Sequence, residues 1–347
     1  MGEILGLGLS HGPHGAHQDH TMAALVMRLM ENPSTPEHLR DPKNWPPEMQ
    51  AEWGEDQGRT AAHKHRDSLA AGYRRLREAL DEFNPDVVLI WGDDQYENFN
   101  EDIVPAFCVF AEDEYVAHPW AGRRGSSLKS EDNIWGEGPE TEQRIKGAKK
   151  IAKELAVNLL ENEFDIAYAY KQLHHEMGHA YHRTCSYLDY DRDKGFPYPI
   201  IPVHVNCYGS RFTRGRSGEE FDPPGPTPHR CFQLGAAIAQ FFKESPYRVA
   251  LIGSSSWSHA FLTDKNDKMW PDVESDRARY AELSEGNYKA WENIPLSQIE
   301  DAGQFELMNW VCLAGAMDHL GHKPVFTEFI ESFLFNSSKT VGAFAAV

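Results

Sequence analysis

Short apolar runs alternate along the chain with longer amphipathic stretches. The runs EILGLGLSHG, PDVVLIWGDD, FDIAYAYKQL, YPIIPVHVNCY and YRVALIGSSSWSH are bounded by turn residues and predict buried strands. The stretches RDSLAAGYRRLREALDEF, TEQRIKGAKKIAKELAVNLLEN and HRCFQLGAAIAQFFKES carry apolar residues at helical spacing. This alternation predicts an α/β fold, with a central and mostly parallel sheet flanked by helices.

The same pattern predicts a single domain over residues 1–347, with a partly helical excursion at residues 33–82 after the first strand. Residues 33–62 are rich in Pro, Glu, Asp and Trp and lack a clear apolar period. No run approaches the roughly 20 apolar residues of a membrane span, so we expect no membrane segment. The start MGEILGLGLSHG lacks the basic region that is typical of a signal peptide.

Charge and cysteine content narrow the class of protein further. The formal net charge of −19 argues against a nucleic-acid partner, which would require a basic surface. The 5 cysteines are scattered and never form C-x-x-C, so neither a disulfide framework nor a Cys-rich zinc site is expected. A reducing cytoplasm is therefore the expected location.

Polar residues gather where the predicted strands end, in SHGPH, GDDQYENF, NCYG and GSSSWSH. Ligands of α/β sheets bind at the carboxyl ends of strands. His11 stands at such an end, where a neutral imidazole suits a metal ion. His14, His17 and His20 follow at every third residue, and we interpret most of these as structural.

The segment HHEMGHAYH contains His175, Glu176 and His179 in the H-E-x-x-H spacing of zinc metalloproteases. A glutamate of the 218–220 region could serve as a distant third ligand. Zincins carry this motif on a helix, whereas here it follows a strand-like run and contains Gly178. A zinc-dependent hydrolase therefore stays as an alternative hypothesis.

Two further segments carry candidate chemistry. GSSSWSH lacks the second glycine of the G-x-S-x-G elbow, so its serines are predicted to be turn residues that support His259. FELMNWVCLAGAM is an apolar helix that carries a single acid, Glu306. Its neighbours offer few polar partners, which favours a functional role for this carboxylate.

Together these segments resemble the class III extradiol ring-cleavage dioxygenases, such as the protocatechuate 4,5-dioxygenase beta chain and gallate dioxygenase. The segments that resemble the family occur in the family's order and span nearly the whole chain. They are GLGLSHGPH, PDVVLIWGDDQYENFNEDIVPAFCVF, EFDIAYAY with GHAYH, IPVHVNCYG, PTPHRCFQLGAAIAQ, VALIGSSSWSH, FELMNWVCLAGAM and FNSSKTVGAF.

The resemblance implies a non-haem Fe(II) held by two histidines and a glutamate, with open positions for a catecholic substrate and O2. His11 matches the first iron ligand and Glu306 the carboxylate ligand. His259 matches the acid–base histidine, and His179 matches a second catalytic histidine. The family's second histidine ligand falls on Tyr96, which is the implied metal ligand at that position.

The identity of this third ligand stays open among Tyr96, Gln95, Asp94 and His14. The expected function is extradiol cleavage of a catechol-like or related phenolic substrate with O2 and Fe(II). An altered family member that binds an aromatic ligand without ring cleavage is a second hypothesis. The resemblance also implies a homodimer, with a small aromatic substrate and O2 as partners.

Overall fold

The computed structural model describes residues 2–121, 133–209 and 223–346. The strands expected from the apolar runs are present in these ranges, together with additional strands beside them. In chain order the strands are β1 (Glu3–Leu9), β2 (Val87–Gly92), β3 (Phe107–Phe110), β4 (Glu114–Ala117), β5 (Gln143–Lys146), β6 (Ala167–Ala169), β7 (Ile200–Val205), β8 (Arg248–Ser254), β9 (Lys323–Ile330) and β10 (Lys339–Ala345).

The helices fill the connections between the strands. One of the predicted helices begins with a typical N-cap. The hydroxyl of Thr227 accepts a hydrogen bond from the Arg230 amide, and Pro228 occupies the first helical position. The helices are α1 (Ala24–Glu31), α2 (Pro47–Trp53), α3 (Arg59–Phe83), α4 (Lys149–Glu161), α5 (His179–Tyr187), α6 (Pro228–Glu244), α7 (Val273–Ser284), α8 (Lys289–Glu292), α9 (Leu296–Asp301) and α10 (Leu307–Leu320).

Within the described residues, eight strands form one sheet in the order β6-β3-β7-β2-β8-β1-β10-β9. The four central strands β7, β2, β8 and β1 run parallel to one another. Strand β10 pairs antiparallel with β1, and β3 pairs antiparallel with β7. The predicted α/β fold with a mostly parallel central sheet and flanking helices is therefore confirmed.

Apolar residues on both faces of β2 explain why this strand reads as a continuous apolar run. Leu89 and Trp91 belong to the core that β2 shares with α6 and α10. Val88 and Ile90 point to the opposite face and join the core that includes Leu69 of α3. Successive side chains of a strand alternate between its faces, so a strand covered by helices on both sides is apolar throughout.

The close approach of α10 to the sheet places its first residues at the carboxyl ends of the strands. A Cβ on Gly253 would lie 3.1 Å from the Asn309 carbonyl oxygen, so a larger residue would push α10 away from the sheet at this contact. The register pairs Leu9 of β1 with Ser254 of β8, and both strands therefore end at the same edge. The residues that follow these strands meet the start of α10 there.

The excursion after β1 forms a third apolar cluster instead of an isolated loop. Trp45 and Met49 pack in one buried cluster with Leu334 and Phe335, which belong to the turn before β10. The Glu52 carboxylate accepts hydrogen bonds from the backbone amides of Phe333 (2.9 Å) and Leu334 (3.0 Å). The excursion therefore supports the segment that leads into β10.

One predicted helix is shorter than its sequence pattern suggested. Residues 141–162 were expected to be helical throughout, but α4 covers only Lys149–Glu161. The preceding Gln143–Lys146 form β5, which pairs antiparallel with β4. Its partner lies about thirty residues earlier, so this pairing is a tertiary effect that a local helical period does not report. No helix in the described ranges is long and apolar enough to cross a membrane.

Candidate metal centre

His11 lies two residues beyond β1 and is held by the end of the neighbouring strand β8. Its Nδ1 lies 2.9 Å from the Ser254 carbonyl oxygen. A ring nitrogen must carry a hydrogen to donate to a carbonyl, so the neutral ring leaves its Nε2 lone pair free. That Nε2 lies 3.7 Å from Oδ1 of Asp93 and 3.9 Å from Oε2 of Glu306.

His179 is the first residue of α5 and reaches the same point from the other side. Its Nδ1 lies 2.8 Å from Oε2 of Glu97, and its backbone amide also donates to that carboxylate. Its Nε2 lies 3.7 Å from Oδ2 of Asp93. Burial lowers the pKa of His179, but the carboxylates of Glu97 and Asp93 outweigh burial and raise this pKa above its usual value.

His259 follows β8 and completes a set of three inward-facing imidazoles. Its Nδ1 lies 3.0 Å from the Trp257 carbonyl oxygen, and its Nε2 lies 3.6 Å from Oε2 of Glu306. The rings of His11 and His179 are in edge contact, with their centroids 5.0 Å apart. All three histidines thus hold Nδ1 in a hydrogen bond and direct Nε2 at a carboxylate.

Two carboxylates, Asp93 and Glu306, are buried among these imidazoles. Asp93 is 0% exposed and Glu306 is 2% exposed. Burial raises the pKa of Asp93 well above its usual range, and the negative charge of Glu306 adds to this effect. Burial also lowers the pKa of His11 far below its usual value, so this ring is neutral and available as a ligand.

This donor set fits a divalent metal ion. Buried carboxylates next to neutral imidazoles are unfavourable unless a cation compensates them. The ligand atoms of His11, Asp93 and His179 all lie within 4.8 Å of one another. The distances from His11 Nε2 to the carboxylates of Asp93 and Glu306, 3.7 and 3.9 Å, are too long for hydrogen bonds, and bonds of about 2.1 Å to a shared ion would join such atoms.

Tyr208 and Gln95 fix the orientation of the Glu306 carboxylate. The Tyr208 hydroxyl donates to Oε1 of Glu306, and Nε2 of Gln95 donates to the same oxygen at 3.0 Å. The other oxygen, Oε2, is then directed at His11 and His259. Tyr208 is itself held by stacking on Phe305, with the ring centroids 5.6 Å apart.

Tyr208→Phe is expected to weaken metal binding about 10- to 100-fold, because groups that orient a metal ligand typically contribute this much to affinity. The measurement is competition for the ion against a chromogenic chelator. Tyr198→Phe is the matched control, since the Tyr198 hydroxyl also donates to a carboxylate, that of Asp81, far from the centre. An affinity that is equal in both variants would remove the positioning role from Tyr208.

The structure does not bring Tyr96 into this cluster. Its side chain is 43% exposed, and its hydroxyl donates to Glu101 at 2.5 Å. Just beyond β2, Asp93 and Gln95 face the centre, whereas the carboxylate of Asp94 accepts from loop amides such as Glu97 N at 2.9 Å. A phenolate of Tyr96 is therefore not among the ligand atoms that converge on His11.

Gln95 and His14, the two remaining candidates for the third ligand, do not take that place either. Gln95 lies at the centre, but it engages Glu306 through its amide nitrogen. His14 is buried, and it is not among the residues whose ligand atoms converge on His11. The carboxylate whose oxygen lies with the ring nitrogens of His11 and His179 is that of Asp93, a residue that the family motif did not indicate. The sequence feature that could have identified Asp93 is its position, because it is the first residue after a buried strand whose end faces the site.

The H-E-x-x-H residues do not assemble a zinc site of the metalloprotease kind. Helix α5 begins only at His179, so His175 and His179 do not share a helix face. His175 is half-buried and lies outside the cluster, and the carboxylate of Glu176 pairs with His118 Nδ1 at 3.0 Å. The glutamates of the 218–220 region, considered as a third ligand, lie outside the described residues.

The chain is similar in sequence to proteins that are named as aromatic ring-opening dioxygenases. Residues 222–346 match the family described as the catalytic LigB subunit of aromatic ring-opening dioxygenase. A Pseudomonas putida protein named 2,3-dihydroxyphenylpropionate/2,3-dihydroxicinnamic acid 1,2-dioxygenase 2 is 28% identical over 193 residues, covering 56% of this chain and 49% of its own length. A similarly named dioxygenase of Photorhabdus laumondii is 25% identical and covers 58% of this chain and 52% of its own length.

The sheet edge with its buried histidines and carboxylates defines an α/β protein with a candidate metal centre. The matched region is similar to the LigB family, and the named relatives are extradiol dioxygenases, the class that the motifs of the chain resemble. The chain spans about half the length of these relatives.

Proposed function

We propose that this chain is a metal-dependent dioxygenase that opens the ring of a catechol-like or related phenolic substrate by extradiol cleavage with O2. The observation that carries the proposal is the convergence of the His11, His179 and His259 Nε2 atoms on two buried carboxylates. The relatives support it, since they are named as dioxygenases of substrates that carry adjacent ring hydroxyls.

The proposed metal is Fe(II), which suits mixed imidazole and carboxylate ligands with positions left open for substrate and O2. His11 would hold it together with Glu306 and Asp93, the latter in the place that the family resemblance gave to Tyr96. His179 Nε2 is the further ligand atom within reach. When bound, the ion supplies Lewis acidity toward the ring oxygens and a binding position for O2.

His259 is the proposed acid–base residue of the reaction. Burial lowers its pKa, and the opposing effect of Glu306 does not restore it. The ring is therefore neutral at pH 7, and Nδ1 donates to the Trp257 carbonyl oxygen. Its Nε2 then carries a lone pair that can accept a phenolic proton and return it later. His179 faces the same space, and Glu97 would stabilise a proton on it.

The proposal extends to the assembly of the protein. We infer that residues 1–347 form one catalytic domain and that the protein is cytoplasmic, in keeping with its scattered cysteines. We also infer that it is a homodimer, as the family resemblance implies. Light scattering at several protein concentrations tests the dimer, because a constant monomer mass would contradict it.

Ring cleavage is tested directly by supplying Fe(II) anaerobically, adding catechols with different substituents and then admitting isotopically heavy O2. We expect a ring-opened product that contains both heavy oxygen atoms, with O2 consumed in equal amount. A protein that binds the catechols tightly but consumes no O2 is an altered family member, and that result would overturn the proposal.

A further inference from the structure

Four large apolar side chains form an exposed surface at one edge of the sheet. Each of them is between 45% and 55% exposed. They are Val157 and Leu160 of α4, Tyr168 of β6 and Tyr170 just beyond β6, and we call them the edge patch. Contiguous apolar surfaces of a folded protein that stay exposed often mark an interface with another protein.

The edge patch is continuous from the helix to the strand. The ammonium of Lys153 lies 4.6 Å from the centroid of the Tyr170 ring, so the first half of α4 lies beside the end of β6. The helix therefore runs antiparallel to the strand. Val157 and Leu160 follow Lys153 on the same stripe of α4. The ring centroids of Tyr168 and Tyr170 lie 5.5 Å apart, which joins the strand to this stripe.

β6 is an edge strand whose outer side is open. Within the described residues it pairs only with β3, and the register places Tyr168 opposite Val109. Val109 belongs to the core that α4 shares, so the Tyr168 side chain lies on the α4 face of the sheet. The Ala111 amide donates to the Ala169 carbonyl oxygen at 2.8 Å, so Ala169 directs its backbone polar groups toward β3. Successive residues alternate in this respect, and Tyr168 therefore directs its N–H and C=O outward.

The opposite edge of the sheet is protected against pairing, whereas β6 is not. β9 begins with Lys323 and Pro324, and lysine or proline on an edge strand hinders pairing with another chain. β6 reads Ala-Tyr-Ala and has neither residue. Its outer side can therefore accept a further strand. Because β6 is only 3 residues long, the α4 stripe would supply most of the contact area.

The charges beside the edge patch are sorted by sign. Lys149 and Lys150 occupy the first turn of α4, and Glu161 is its last residue. A helix dipole favours acids at the N-terminus and bases at the C-terminus, so these charges oppose the dipole of α4. Along the strand, exposed Asp165 precedes β6 and exposed Lys171 follows it. One end of the surface is therefore acidic and the other basic, which makes it complementary to a copy of itself turned by a two-fold rotation.

We propose that the edge patch binds the edge patch of a second copy of this chain, with the two β6 strands antiparallel around Tyr168. The assignment rests on the homodimer proposed above and identifies its interface. The backbone N–H and C=O of Tyr168 exchange hydrogen bonds with the same groups of the partner subunit. This register places Lys171 opposite Asp165 of the partner subunit. The two α4 helices then lie antiparallel, with Val157 and Leu160 covered and each basic end beside an acidic end.

The test is sedimentation equilibrium of the full-length protein over a concentration series, with variants that reverse the facing charges. Lys171→Glu and Asp165→Lys are each expected to raise the dimer dissociation constant at least about 10-fold, because an opposite-charge pair becomes a like-charge pair twice in each dimer. The double variant restores opposite charges and is expected to dimerise like the wild type. Leu160→Asp places a charge in the apolar part of the interface and is expected to raise the constant more than about 100-fold.

Lys64→Glu is the matched control, since it makes the same charge change at an exposed residue of α3, on the other face of the sheet, and should leave the dissociation constant unchanged. A wild type that is monomeric at every concentration would overturn the interface together with the proposed homodimer. A dimer that persists unchanged in all three single variants overturns the interface and leaves the homodimer standing. Single variants that dissociate without recovery in the double variant overturn the antiparallel pairing. No substrate is present, so these results do not depend on ring cleavage.

Discussion

His11→Ala is expected to abolish tight metal binding and, with it, all ring-cleavage activity. His11 Nε2 lies between the carboxylates of Asp93 and Glu306, so its loss removes the atom around which the other ligands converge. Loss of a group that merely orients a ligand costs about 10- to 100-fold in affinity, and loss of the ligand itself should cost more than about 100-fold. Metal content after dialysis and chelator competition measure this directly.

Two control variants make this result specific. Tyr96→Phe is expected to keep the metal, because the Tyr96 hydroxyl contacts Glu101 and not the cluster. His175→Ala is also expected to keep it, since His175 lies outside α5 and is not among the residues whose ligand atoms cluster around His11. A metal that stays in His11→Ala but disappears in His175→Ala would instead establish the zinc-hydrolase hypothesis.

His259→Gln is expected to retain the metal and lower kcat by about 100- to 10,000-fold, the usual contribution of a general acid–base residue. Glutamine keeps a polar side chain beside Glu306 but cannot exchange a proton near neutral pH. The metal is expected to be retained because the proposed ligands are His11, Glu306 and Asp93, and His259 is assigned to proton transfer.

The readouts that separate this role from a structural one are kcat, KM, metal content and the pH profile. For the wild type, the lowered pKa of His259 means that its neutral, proton-accepting form is lost only at pH values below the ordinary histidine range. This acidic decline in kcat should be absent from the glutamine variant. Unchanged kcat, or loss of metal together with activity, would remove His259 from the proposed acid–base role.

The fold was largely predictable where local patterns and burial agree. β1, β2, β7 and β8 are continuous apolar runs because helices cover both faces of the central sheet. The antiparallel strands at the edges were not predicted. β10, for example, pairs with β1 across almost the whole chain length, and no local periodicity reports such a partner.

The site was predictable in part, for a similar reason. The structure brings His11, His179, His259 and Glu306 together, as the motifs implied, although their roles stay predictions. Counting along a motif placed Tyr96 in the centre, yet the chain turns after β2 and sends its side chain outward.

The sequence by itself determined an α/β fold, the edge of the sheet where polar residues collect, and the resemblance to the extradiol dioxygenases. Tertiary structure alone decided that Asp93 stands with His11 and that the side chain of Tyr96 points away from them. The reason is physical. Apolar periodicity records which residues are buried, but the direction of a side chain beyond a strand end depends on contacts with residues hundreds of positions away.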